Sequence, residues 1–291
     1  MHRPAVLVIA ATDSSGGAGL TRDVRVLTDF AVDALCVVTA VTAQTDKTVS
    51  AVHHVPPDVI RAQIAAALAT RGVGAIKIGM LGTQATVEAV VAGLSASGLT
   101  FGGWPPHAIP LVVDPVLVST SGGVLLDAGG QAALTGSLFP IATLITPNVP
   151  EAAALLGEAV ATDEAGLIEQ GGRLLGFGSQ AILLKGGHRY AGAGYAGRGV
   201  GDDAVDLLIS RTAAEGRPAH GRPAVGRPAG GLLTDRMASK RVAGSSRGTG
   251  CALASAIAAG LASGKPLGEA CRAAKSYVLG MLTLHGNDAA L

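Results

Sequence analysis

The sequence predicts an α/β fold built on a mainly parallel sheet, and three observations carry that expectation. Apolar runs of about six residues, rich in Val, Ile and Leu, alternate with longer Ala-rich stretches of helical periodicity. Hydrophobic residues make up 48% of the 291-residue chain but aromatic ones only 3%. The core must therefore be assembled from Ala, Val, Leu and Ile, which suits strands buried on both faces beneath helices. Repeated strand-then-helix units also imply right-handed crossovers and a sheet covered on both sides.

Taken in order, the first run is AVLVIA (5–10). The polar turn Asp13-Ser14-Ser15-Gly16-Gly17 ends it too early for a signal peptide, so a β-strand is predicted. A helix is expected near 17–31, a strand over ALCVVTAVTA (34–43), a helix near 57–70 and a strand over GAIKIGML (74–81). A helix near 83–96, the strand PLVVDPV (110–116), a helix near 128–138 and the strand ATLITPN (142–148) follow. Helices near 149–156 and 163–176 then lead to the strand AILLKG (181–186), and AVDLLIS (204–210) is again strand-like. The last two helices are CALASAIAAGLAS (251–263) and PLGEACRAAKSYVLGML (266–282), with Pro266 at a helix start, where its missing N–H costs little.

One segment breaks the alternation. Residues 216–229 read GRPAHGRPAVGRPA, three copies of Gly-Arg-Pro-Ala at a five-residue period. Nothing in it can bury a core, so it reads as a flexible insertion, about 191–235, within one domain spanning 1–291.

Bulk charge narrows the function. With 22 basic against 21 acidic residues the net charge is +1, and neither sign forms a block, so no nucleic-acid or anionic-membrane footprint is present. Uncharged stretches at 89–113 and 128–150 contain Pro, Gly and polar residues that break a spanning helix. The three cysteines, Cys36, Cys251 and Cys271, lack C-x-x-C spacing, which argues against zinc or a disulfide framework and for a reducing cytoplasm. A small-molecule partner is expected.

Ligands of such sheets bind beyond the carboxyl ends of the strands. Asp13, Gln44, Gly79-Met80, Asp114, Asn148 and Lys185 all fall there. The stretch GSSRGTGC (244–251) adds a Gly-rich turn into a helix start. It has Cys251 where a phosphate loop needs Lys, and Leu253 where a dinucleotide fingerprint needs Gly or Ala. Two readings stay open for it. One is an anion site made by helix N–H groups, with a thiol of lowered pKa; the other is a small Cys packed beneath a Gly turn.

DSSGGAGLTRD (13–23), TAQ (42–44), KIGML (77–81), DPV (114–116), TPNVPEA (146–152), LLKGGH (183–188) and GTGC (248–251) occur in an order and spacing that resemble the ribokinase-like hydroxymethylpyrimidine and phosphomethylpyrimidine kinases of thiamin biosynthesis. The resemblance spans nearly the whole chain outside 191–240. It implies a three-layer αβα fold, ATP and Mg²⁺ as cofactors, a pyrimidine alcohol as acceptor, and a homodimer. By the same resemblance, Gly248, Thr249 and Gly250 form the anion hole and Cys251 lies beside the attacking hydroxyl. Gln44, Asp23, Ala18, Met80 and Val116 line the pyrimidine pocket; Asn148, Lys185 and Lys275 attend ATP; Asp114 and Glu151 attend the metal. The chain departs from the pattern at Ala11-Thr12-Asp13-Ser14 in place of Gly-Ser-Asp-Pro. It also departs at Thr45, Thr120 and Gly123, and at Arg247, where the family has His. A pyridoxal-type kinase and a non-catalytic binding derivative are the alternatives.

Overall fold

A computed structural model describes residues 3–46, 48–101, 108–118, 123–186, 203–211, 231–242 and 247–288. Among them, eight strands form one sheet. These are β1 (Ala5–Ala10), β2 (Asp33–Val38), β5 (Ala75–Ile78), β6 (Leu111–Val113), β7 (Leu144–Ile145), β8 (Ala181–Lys185), β9 (Asp203–Arg211) and β10 (Leu232–Lys240), in the order β10-β9-β8-β7-β6-β5-β1-β2. All pairs from β2 to β8 are parallel, and β9 and β10 add an antiparallel edge. β3 (Ala40–Gln44) and β4 (Val49–His54) form a separate antiparallel hairpin.

The alternation of side chains explains the layers. In β1, Leu7 and Ile9 pack on one side while Val6, Val8 and Ala10 pack on the other. The first side is covered by α2 (Pro57–Thr70), α3 (Gln84–Ala96), α4 (Ala128–Ala133), α5 (Val149–Leu156) and α6 (Glu164–Leu174). The second is covered by α1 (Gly19–Asp29), α7 (Thr249–Ala262) and α8 (Leu267–Asp288). Every residue of β1 is buried, as a strand covered on both faces requires. Helix starts follow local chemistry: Thr83, Asp127 and Asp163 accept hydrogen bonds from backbone N–H groups as N-caps, and Asn148 and Glu151 close a reciprocal capping box on α5.

Three expectations need adjustment. The run ALCVVTAVTA is two strands: at Thr39 the chain leaves the sheet, with its N–H bonded to the Ala10 carbonyl and its hydroxyl donating to the Met80 carbonyl, and β3 pairs only with β4. The helix near 128–138 is α4 followed by a single π-helical turn over Leu134–Leu138. The region about 191–235 contains β9 and the start of β10, so sheet structure lies inside the segment read as an insertion. The Gly-Arg-Pro-Ala repeats, Thr120 and His188 lie outside the described residues. No helix among the described residues is long and apolar enough to cross a membrane.

Candidate active site

The strand ends bring the expected residues to one edge of the sheet, and α7 aims its N-terminus at them. Gly248 caps this helix with φ 75°, a left-handed backbone that glycine adopts at no steric cost. A Cβ there would also lie 2.2 Å from the Gly17 carbonyl oxygen. The loop after β1 and the start of α7 are thus packed backbone to backbone. At Gly250 a Cβ would sit 3.3 Å from both Asp114 Oδ2 and Lys185 Nζ. The absent side chain leaves the first turn of a 14-residue helix, with its unpaired N–H groups and positive dipole end, open beside that pair.

Lys185 Nζ donates to Asp114 Oδ1 at 2.7 Å, and Thr146 Oγ1 donates to the same oxygen at 3.0 Å. Burial alone would lower the Lys185 ammonium, but Asp114 and Glu151 outweigh it and hold it well above its ordinary value. Glu151 accepts from the Asn148 N–H at 2.8 Å and the Leu117 N–H at 3.4 Å. Burial raises its carboxyl; Lys185 opposes that rise and Asp114 adds to it. Asn148 Oδ1 in turn accepts the Glu151 N–H at 2.9 Å. The two side chains expected at the site are therefore also the ones that cap α5. Lys275, on α8, donates to Asp206 at 2.7 Å and to the Ala204 carbonyl at 3.1 Å, tying that helix to β9.

On the other flank, Asp13 is buried and accepts from the Ser15 N–H, the Ser15 hydroxyl and the Ala18 N–H, which shapes the loop entering α1. Arg247 adds an ion pair to Asp13 at 3.0 Å and reaches the Thr45 carbonyl and Asp46, so it joins the start of α7 to the β3–β4 turn. Gln44 is fixed through its backbone by the Ser14 hydroxyl, which accepts its N–H and donates to its carbonyl, and Thr42 Oγ1 donates to Gln44 Oε1 at 3.3 Å. Met80 is half-buried. Val116 has φ 37°, a strained backbone for a β-branched residue, two positions after Asp114.

Asp23, expected at a ligand pocket, is fully buried. It accepts from Lys77 Nζ at 2.7 Å and from Ser255 Oγ at 2.8 Å. Lys77, Ser255 and Thr146 carried no expectation. The signal for Lys77 was a lone Lys in the strand AIKI: in a sheet covered on both faces, every strand position is interior. Of the two readings left open for Cys251, the one with a thiol of lowered pKa is corrected in that respect. Burial pushes the thiol up, and the downward pull of Lys77 and of the Gly19 N–H does not overcome burial and the nearby Asp23 and Asp114 carboxylates.

Among the described residues, no group of three or more His, Cys, Asp or Glu could hold a metal ion. Asp114 and Glu151 form a set of two.

The family model for phosphomethylpyrimidine kinase matches residues 13–217 and 232–288. A hydroxymethylpyrimidine/phosphomethylpyrimidine kinase of Rhizobium meliloti is 38% identical over 94% of this chain and 88% of its own length. One from Streptomyces coelicolor is 36% identical over 96% and 89%. Of solved structures, the phosphomethylpyrimidine kinase of Clostridium difficile matches with a TM-score of 0.72 at 28% identity, covering 96% of this chain and 100% of that one. The pyridoxal kinase of Staphylococcus aureus in complex with AMP-PCP and pyridoxal matches with a TM-score of 0.73 at 27% identity, covering 96% and 87%.

Proposed function

The chain belongs to the phosphomethylpyrimidine kinase family, and from that membership we infer a phosphotransferase of thiamin biosynthesis. It moves the γ-phosphoryl group of ATP to the hydroxymethyl oxygen of 4-amino-5-hydroxymethyl-2-methylpyrimidine, and then to the monophosphate so formed. The observation that carries this reading is the glycine-lined start of α7 set against the Lys185–Asp114 pair.

Phosphoryl transfer depends chiefly on positioning and on neutralising charge. In this reading the acceptor oxygen bonds to the γ-phosphorus while the bond to the β,γ-bridging oxygen breaks and ADP departs. The N–H groups of Gly248, Thr249 and Gly250 receive the oxygens on which charge develops, and Lys185 faces them as a fixed cation. Cys251 lies beside the acceptor. Its thiol is held neutral in the free protein, so it first orients the hydroxyl and takes the proton only late in the transfer. Gln44 can donate to and accept from the aminopyrimidine edge, with Ala18, Met80 and Val116 as walls and Asp23 supporting them from beneath. Asn148 and Lys275 attend the nucleotide.

Asp114 and Glu151 fit Mg²⁺: two neighbouring buried carboxylates, beside space that a Cβ on Gly250 would fill, suit an ion that keeps most of its water. When bound there, the ion would offset phosphate charge. The cytoplasm as location, a homodimer and a single kinase domain over 1–291 complete the reading.

A pyridoxal-type acceptor is the second reading, favoured by the likeness to pyridoxal kinases and by the common shape of a flat heteroaromatic alcohol. Mass-spectrometric analysis of products from Mg-ATP with the pyrimidine alcohol, its monophosphate and pyridoxal, each alone, separates the two. The pyrimidine monophosphate and diphosphate are expected. Pyridoxal phosphate alone selects the second reading, and no phosphorylated product from any acceptor rejects both.

A further inference from the structure

The β3–β4 hairpin stands apart from the eight-stranded sheet, and β4 is exposed from Ser50 to His54. A two-stranded ribbon is marginally stable by itself. Gln44 is the last residue of β3, so its placement depends on what ties that end of the hairpin to the rest of the molecule. Two neutral links lead to the loop after β1. Thr42 Oγ1 donates to the Thr12 carbonyl at 2.8 Å, and the Ser14 hydroxyl exchanges two hydrogen bonds of 2.8 Å with the Gln44 backbone. A charged link comes from the other side. Arg247, directly before the Gly248 cap of α7, donates through Nη2 to Asp13 Oδ2 at 3.0 Å and through Nη1 to the Thr45 carbonyl and, at 3.2 Å, to Ser15 Oγ.

The arms of this guanidinium are unequal. Asp46, 3.4 Å from Nη1, is 84% exposed, so that pair is screened by water and contributes little. Asp13 is 2% exposed and Arg247 15%, and Asp13 is itself fixed by the N–H groups of Ser15 and Ala18 at 2.9 and 2.8 Å. Arg247 therefore rests on a rigid acceptor and extends its other nitrogen to Thr45, the residue after Gln44. A planar fork with donors at both ends can hold two chain segments at once, which a point-charge ammonium does poorly. The start of α7 has its own contact with the loop after β1 through the close approach of Gly248 to Gly17, so the element that depends on the fork is the hairpin. Resting on the reading of Gln44 and the start of α7 as the two sides of the acceptor site, we propose that Arg247 is a positioning residue for the acceptor. It pins the Gln44 end of the hairpin to the helix start that receives the phosphoryl group, so the two sides stand at a fixed separation before the pyrimidine arrives. Preorganisation of this kind lowers the ordering cost of binding.

The test is the steady-state kinetics of Arg247→Met in the full-length protein, with Mg-ATP and the pyrimidine alcohol each varied in turn. A general loosening of the fold lowers kcat and raises both KM values, whereas a loosened hairpin acts on the acceptor alone. The KM for the pyrimidine alcohol is expected to rise about tenfold to thirtyfold, while the KM for ATP and kcat change by less than about threefold. Arg247→Lys keeps a positive charge beside the buried Asp13 and loses the fork, which keeps the test open if the Met variant does not fold. Its acceptor KM is expected to rise about threefold to fivefold, again with little change for ATP. An acceptor KM within about twofold of the unsubstituted protein in either folded variant overturns the proposal, as does a rise in the KM for ATP equal to that for the acceptor. Both results are read from a protein that turns over, so they are distinct from failure of the kinase reading, which would show as an absence of phosphorylated product from the unsubstituted protein.

Discussion

Two Lys–Asp pairs flank the start of α7, each closed at 2.7 Å, and they differ in what surrounds them. Lys77–Asp23 lies between α1, α7 and the sheet with both side chains 0% exposed, whereas the side chains of Lys185–Asp114 retain 14% and 5%. The sealed pair has its carboxylate completed by Ser255; the open pair borders the space kept clear by Gly250. Identical partners at identical separation thus take different roles according to access. A pair shut off from solvent can act only on its neighbours, and a pair beside a glycine-lined helix start can also meet a ligand.

Substituting each lysine sharpens this contrast. Lys77→Met strands a buried carboxylate and is expected to cost about 3–5 kcal/mol of stability, read from chemical denaturation. An unfolding free energy within ~1 kcal/mol of the unsubstituted protein would show that the sealed pair contributes little. Lys185→Met is expected to lower kcat about a hundredfold to a thousandfold, with a smaller loss of stability than Lys77→Met. A larger stability loss at Lys185 than at Lys77 would break the comparison.

Cys251→Ala is expected to reduce kcat about tenfold to a hundredfold while ATP binding by calorimetry stays within a few-fold. Unchanged turnover would return this residue to simple packing. The smallest effect concerns pH. Burial holds the Cys251 thiol above its ordinary 9.0 and pushes Cys271 up to about 12. Each folded-state pKa exceeds the unfolded value, so the associated stability is complete below pH 9 and is lost as pH rises through the folded values. Denaturation midpoints should therefore hold steady from pH 7 to 8.5 and fall at pH 10, with a smaller fall in Cys271→Ala.

The open pair was the more legible of the two in the sequence. Asp114, Asn148 and Lys185 each follow an apolar run at a strand end, and strand ends are set by local patterning that a single sequence displays. The sealed pair joins residues 54 apart and needs α1 laid across the sheet before Asp23 and Lys77 meet. Periodicity alone gives no warning of that contact. The hairpin was hidden for a related reason: ALCVVTAVTA is continuously apolar, and its division at Thr39 depends on hydrogen bonds to Ala10 and Met80, which are distant in sequence. The two readings of the Cys251 thiol stayed open in the sequence because a helix start pulls its pKa down, while the burial that pushes it up comes only with tertiary packing.

The central claim is that the glycine-lined start of α7 receives the transferred phosphoryl group beside the open pair. The measurement that tests it most directly is the steady-state kinetics of Gly250→Ala with Mg-ATP and the pyrimidine alcohol, alongside its thermal unfolding. A methyl group 3.3 Å from Asp114 Oδ2 and Lys185 Nζ should lower kcat at least about a hundredfold while the unfolding midpoint moves little. A kcat within threefold of the unsubstituted protein would contradict the claim and place the chemistry elsewhere on the sheet edge.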